Sequence, residues 1–249
     1  MAFLTVTGIV TRYVNYRDND RILTLFTSEM GRIDAKARGC RKQKSPLLAC
    51  AQPFVFGEYQ LFSSKDRFVI DQCDIRETFY PLREDIGKFT AANVMLSLSG
   101  LGVQERQPNA ELFSLLYHCL SFLSYGESEP IDLALCFVTR YFEVIGFRPA
   151  ITSCAVCEEN LRTHRELKFH AQSGGALCLD CARRENIGEN VSGLTLEAMR
   201  RMLLLSDAEL DRVRLPHAVR RELFGVLEAY CAAILERESK PLLSLRELL

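Results

Sequence analysis

Tryptophan is absent from this chain, and histidine occurs only four times (His118, His164, His170 and His217), with no two at metal-ligand spacing. Long apolar runs are also missing. The longest, such as residues 133–138, fall far short of the roughly 20 residues a membrane-crossing helix requires. The N-terminus, MAFLTVTGIVTRY, has no cationic leader, and threonines interrupt its short apolar stretch, so it does not read as a secretory signal. The expected location is cytoplasmic, with no membrane partner, where thiols stay reduced. No GxxxxGK[ST] phosphate loop, GxSxG elbow or HExxH pair is present, and no dense carboxylate cluster points to a two-metal nuclease. His118 sits beside an apolar helical stripe and reads as a structural histidine. Nor is one sign of charge in excess. The 31 Lys+Arg and 32 Asp+Glu give a net charge of −1, unlike a uniformly basic nucleic-acid binder.

What is present suits a soluble globular protein: 249 residues, 48% hydrophobic and 25% charged. That length allows one large domain or two smaller ones. Residues 3–15, 20–27, 32–38, 53–62 and 67–79 read as strands, rich in Val, Ile, Thr, Tyr and Phe, with turn chemistry at Gly31 and at 63–66. The third run alternates. Ile33, Ala35 and Ala37 fall on one face, and Arg32, Asp34, Lys36 and Arg38 on the other, as in a half-buried strand. Five short strands in about 80 residues suit a small barrel such as the OB-fold, although a small sandwich or SH3-like barrel gives the same pattern. After Pro81 the period changes. Leu112, Leu115, Leu116, Cys119, Leu120 and Leu123 form a helical stripe, as do Leu133, Phe137, Tyr141 and Val144, and then Leu223, Val226, Leu227, Tyr230 and Ile234. The expected architecture is α+β and multidomain. A five-stranded barrel over 1–80 precedes an all-α helical domain over 81–249, which carries a cysteine-rich insert at about 152–184.

Ten cysteines divide into two groups. Cys40, Cys50, Cys73, Cys119, Cys136 and Cys231 are scattered, whereas Cys154, Cys157, Cys178 and Cys181 form two C-x2-C pairs separated by 20 residues. Two such pairs point to one structural Zn2+ per chain, each pair supplying two thiolates from a tight turn. The plainer reading is four buried cysteines that happen to be paired. Gly174 and Gly175 would ease the turn before the second pair. His164 and Glu166 followed by a C-x-x-C superficially match a zinc deaminase. However, Leu177 stands where that pattern needs proline, and Cys154 and Cys157 would have no role.

Charge is unevenly spread. Residues 1–44 hold nine Lys/Arg against four Asp/Glu, a local balance of +5, so the remaining 205 residues carry −6. The densest part contains Arg32, Lys36, Arg38, Arg41, Lys42 and Lys44 with a single acid. A cationic strand face continuing into a cationic loop suits a phosphate backbone, and a solvated face is the competing reading. Nearby aromatics (Tyr13, Tyr16, Phe26, Phe54, Phe56 and Tyr59) can supply base stacking, but a small barrel needs most of them as core.

These pieces, in order, resemble the bacterial recombination mediator family RecO. They include GIVTRYVNYRDNDRILTLFTSEMGRI at 8–33, AKARGCRKQKS at 35–45, QPF at 52–54 and YPLRED at 80–85. GFRP at 146–149, the two C-x2-C pairs, FHAQSGG before the second pair and SKPLLSLRELL at 239–249 complete the match. The resemblance implies an N-terminal OB-fold, a helical domain and a zinc module. It implies a non-enzymatic protein that binds single- and double-stranded DNA and anneals complementary strands. The implied partners are RecR and the single-strand-binding protein SSB, with a functional link to RecA and RecF. The basic residues between 32 and 44 would be its DNA contacts and the four cysteines its metal ligands. Two other classes stand beside it: a zinc-dependent nucleic-acid-modifying enzyme, and a protein-interaction adaptor that does not bind DNA.

Overall fold

The computed structural model describes residues 2–64, 67–102, 105–236 and 240–249. Five strands form where the β-branched and aromatic runs fall: β1 (Ala2–Tyr16), β2 (Asp20–Thr27), β3 (Gly31–Ala37), β4 (Phe56–Ser64) and β5 (Arg67–Glu77). The expected turn at 63–66 lies partly outside the described residues. The strands close into a barrel in the order β1-β2-β3-β5-β4, an OB-like arrangement. β1 serves two neighbours. Its first half pairs with β4, from Ala2↔Ser63 to Ile9↔Phe56, and its second half with β2, as far as Tyr16↔Asp20. A register shift between Val10 and Arg12 bends the strand at this handover. Parallel pairing of Ala35–Ala37 with Phe68–Ile70 closes the barrel.

The alternation expected for β3 is present: Ile33, Ala35 and Ala37 are buried, and Arg32, Asp34 and Lys36 face out. The barrel interior is filled by Val6, Val10, Leu23, Leu25, Tyr59 and Leu61. A run of turns over 38–55 plugs one end with Cys40, Leu47, Cys50 and Ala51. β4 starts later than the sequence suggests because Phe54 is left-handed, at φ 71°, and cannot continue a strand. β5 stops at Glu77 for the same reason, since Phe79 has φ 47° and leads into a 3-10 turn at Tyr80–Arg83.

The helices are α1 (Ile86–Leu101), α2 (Ala110–Tyr125), α3 (Pro130–Val144), α4 (Leu179–Glu185), α5 (Gly193–Leu204), α6 (His217–Leu235) and α7 (Lys240–Leu243). Asp85, Asn109 and Ser192 cap α1, α2 and α5 by accepting from the backbone N–H of Lys88, Leu112 and Thr195. The three apolar stripes read from the sequence lie on α2, α3 and α6. Barrel and helices share a core: Ile9, Phe26 and Phe54 point out of the barrel into the helical layer. Phe26 packs on Phe113 with ring centroids 5.6 Å apart, Phe56 on Tyr117 at 4.9 Å and Phe54 on Phe89 at 5.7 Å.

Between α3 and α5 the chain adds a small antiparallel sheet that the sequence reading does not contain. It comprises β6 (Leu167–His170), β7 (Gly175–Cys178) and β8 (Glu189–Val191), in the order β7-β6-β8. Strands of three or four residues are too short to show a period of two.

Candidate metal centre and nucleic-acid interface

The first C-x2-C pair lies in a tight turn after α3, in which the Glu158 N–H donates to the Cys154 carbonyl at 2.9 Å. The second pair spans the junction of β7 and α4. Cys178 caps α4 and accepts from the Cys181 N–H. Backbone hydrogen bonds between Ala150 and both Gly174 and Ala176 lay the two segments side by side. Gly175 permits this approach, since a Cβ there would fall 2.2 Å from the Ala150 carbonyl oxygen. Arg200 of α5 donates to the Ile151 carbonyl, and Phe169 packs on Tyr230 of α6 at 5.8 Å, seating the module on the helical layer.

All four sulfurs lie within 4.8 Å of one another, with Cys157 and Cys178 3.8 Å apart. Zinc at about 2.3 Å from each of four thiolates gives sulfur–sulfur edges of about 3.8 Å. Burial raises the Cys154 thiol, but N–H donors from Cys157, Cys178 and Val156 outweigh it and bring it down to about 6. Burial and the neighbouring thiols push Cys181 up to about 12. Four thiolates so close together need a cation, so the donor set suits a soft metal ion and the cluster is consistent with a zinc module. The Cys178 N–H donates to the Cys154 sulfur at 3.4 Å and Arg184 donates to the Cys181 sulfur at 3.5 Å, which spreads thiolate charge. Cys154 and Cys157 thus join Cys178 and Cys181 in one cluster, which a deaminase reading would leave unexplained, and Glu166 is exposed.

The basic residues divide by position. Arg38, Arg41, Lys42 and Lys44 are exposed where β3 runs into the plug. The turn is anchored rather than loose. The Arg41 N–H donates to the Asn19 carbonyl at 3.0 Å, its guanidinium to the Asp18 carbonyl at 3.0 Å, and the Gly39 N–H to the Asp20 carboxylate at 2.8 Å. Lys36 pairs with Asp20 at 2.8 Å and sits 4.7 Å from the Tyr16 ring. Arg32 lies at the joint, donating to the Gly100 carbonyl of α1 at 2.8 Å and lining a cleft with Arg12, Asp34 and Asn93.

Of the aromatics near this segment, Phe26, Phe54 and Tyr59 are buried core, while Tyr16 is 38% exposed with Arg17 over its ring. Sequence reasoning does not single out Arg67. Parallel β3–β5 pairing brings it to a cleft with Arg38, Phe62, Ser64 and Val69. Phe3, 72% exposed, stacks edge-on against Phe62 at 5.4 Å. Only the barrel register could have revealed this cluster, because its members are 24 or more residues from Arg38 along the chain.

A family model described as "Recombination protein O N terminal" matches residues 1–79, and "Recombination protein O C terminal" matches 83–242. Relatives each named "DNA repair protein RecO" align over most of the chain. The protein from Symbiobacterium thermophilum is 32% identical over 244 residues, covering 96% of this chain and 95% of that protein. The one from Alkaliphilus metalliredigens is 30% identical over 230 residues, covering 92% and 93%. The one from Desulforamulus reducens is 30% identical over 240 residues, covering 96% and 93%. Among the described residues no helix is long and apolar enough to cross a membrane.

Proposed function

Because the chain belongs to the RecO family of DNA repair proteins, we propose that it acts as a non-catalytic, cytoplasmic mediator of recombination that holds DNA by its phosphate backbone. Residues 1–80 form the DNA-binding domain, and residues 81–249 form the helical domain with the metal module. The observation that carries this reading is the anchored cationic turn at the barrel end. Arg38, Lys42 and Lys44 project from it into solvent, Arg41 is exposed with its guanidinium held on the Asp18 carbonyl, and Lys36 lies behind them. Their backbone is held by Asn19 and Asp20, so little order is lost when a strand docks. Arg32 is committed to Gly100 and contributes field more than contact. Phosphate contacts of this kind do not read sequence, which suits a protein that handles any single or double strand. Neutralising two strands at once lowers their mutual repulsion and favours annealing. Tyr16, exposed beside Lys36, is the candidate for stacking on a base.

The proposed protein partners are RecR and the tail of SSB, and acting with them the DNA-bound protein serves to load RecA, in concert with RecF. Zn2+ is the assigned metal, held by Cys154, Cys157, Cys178 and Cys181. When bound it cross-links two chain segments, and with four protein ligands it has no open position for chemistry. Replacing Arg38, Arg41 and Lys42 by Ala is expected to weaken single-strand binding at least tenfold, by a similar factor on every sequence. A change confined to sequence preference, or none, contradicts backbone binding.

A further inference from the structure

We propose, on the basis of the phosphate-backbone reading above, that Phe3 and Phe62 add a second part to the DNA site: an aromatic platform, flanked by Arg38 and Arg67, that stacks on an unpaired base. The two rings stand on neighbouring strands as direct partners, Phe3 of β1 opposite Phe62 of β4. The row continues across the barrel, with Phe62 opposite Val69 of β5 and Val69 opposite Lys36 of β3. Successive strand residues point to opposite faces, and Leu61, Phe68, Ile70 and Ala35 beside this row fill the interior, so the row itself faces out. It ends at Lys36, two residues before Arg38 and 4.7 Å from the Tyr16 ring. Three strand spacings, roughly 14 Å, therefore separate Phe3 from the start of the cationic turn.

Two features point to nucleic acid rather than to the sheet alone. Phe3 is 72% exposed, whereas a ring that only fastened two strands would hide more of itself. The rings meet edge to face with centroids 5.4 Å apart, so Phe3 keeps at least one face that Phe62 does not cover. Every base has a π-face and stacks on such a ring whatever its identity. The second feature is charge. The cleft beside Phe62 is lined by Arg38, Ser64, Arg67 and Val69, with two guanidiniums and, among the described residues, no carboxylate. Apolar rings flanked by cations match a single DNA strand, which offers bases and phosphates in alternation. A duplex has its bases stacked on one another and presents phosphates alone, so it gains from the arginines but not from the rings.

The chain has no tryptophan, so Phe3→Trp places a single reporter on the platform. With the intact protein, a thymidine oligonucleotide is expected to quench that tryptophan, saturating where the anisotropy of a labelled copy saturates. A blunt duplex of equal length is expected to bind without quenching it. Phe3→Leu keeps an apolar side chain but has no ring face. It is expected to weaken single-strand binding about fivefold or more, with duplex affinity and the slope of log K against log salt unchanged. Arg67→Ala is expected to make that slope shallower by about 0.7, one phosphate contact. Strand binding with an unquenched tryptophan, a Phe3→Leu loss shared equally by single strand and duplex, or a slope unmoved by Arg67→Ala would each overturn the platform and leave the backbone reading standing. Failure of the unaltered protein to bind either nucleic acid would overturn both.

Discussion

At the residue scale, two side chains bear more than their surroundings suggest. Asp132 in the first turn of α3 is fully buried. It accepts from Arg220 at 2.6 and 2.8 Å and from the Leu215 N–H at 3.0 Å, fixing α6 and its lead-in to the central helix. Asp132→Ala strands the guanidinium beside an empty pocket. The expected cost is about 3–5 kcal/mol, read as a lower urea midpoint, and a loss under about 1 kcal/mol contradicts that role. Cys178 is both a sulfur of the four-cysteine cluster and the cap of α4. Structural zinc contributes about 10–16 kcal/mol of apparent binding free energy in small peptides. Cys178→Ser is therefore expected to lower the bound zinc well below one per chain and to open Arg183 and Arg184 to trypsin. Full zinc occupancy with an unchanged digest contradicts the assignment.

At the scale of elements, the aromatic joint between barrel and helices decides whether the two parts unfold together. Phe26 is buried outside the barrel, against Phe113 of α2. Phe26→Ala is expected to cost about 3–5 kcal/mol and to split a single thermal transition into two. One unshifted transition would mean that the joint carries little coupling. The sequence announced elements where burial is one-sided. β3 alternates and α2 shows a stripe because each has one wet face. It was silent on α1, where Ala91, Ala92, Val94, Met95, Leu96 and Leu98 are buried on several sides and no period survives. The four cysteines were readable because their spacing is local chemistry. The cleft that joins Arg67 and Phe62 to Arg38 was not, because a parallel strand pairing creates it and no linear pattern encodes that pairing.

At the scale of the whole molecule, a near-zero net charge conceals a dipolar arrangement: a +5 N-terminal segment on the barrel and −6 over the rest. Residues 81–249 carry −4 of that −6, which on the proposed reading keeps DNA to the cationic end of the barrel. With DNA docked on this cationic end, as proposed, counterion release is the main contribution to binding. The most direct test of this account is a single-stranded DNA titration with the intact protein at several salt concentrations. With about four to six phosphates neutralised, log K is predicted to fall against log salt with a slope of about −3 to −4. An affinity that does not change with salt would contradict it.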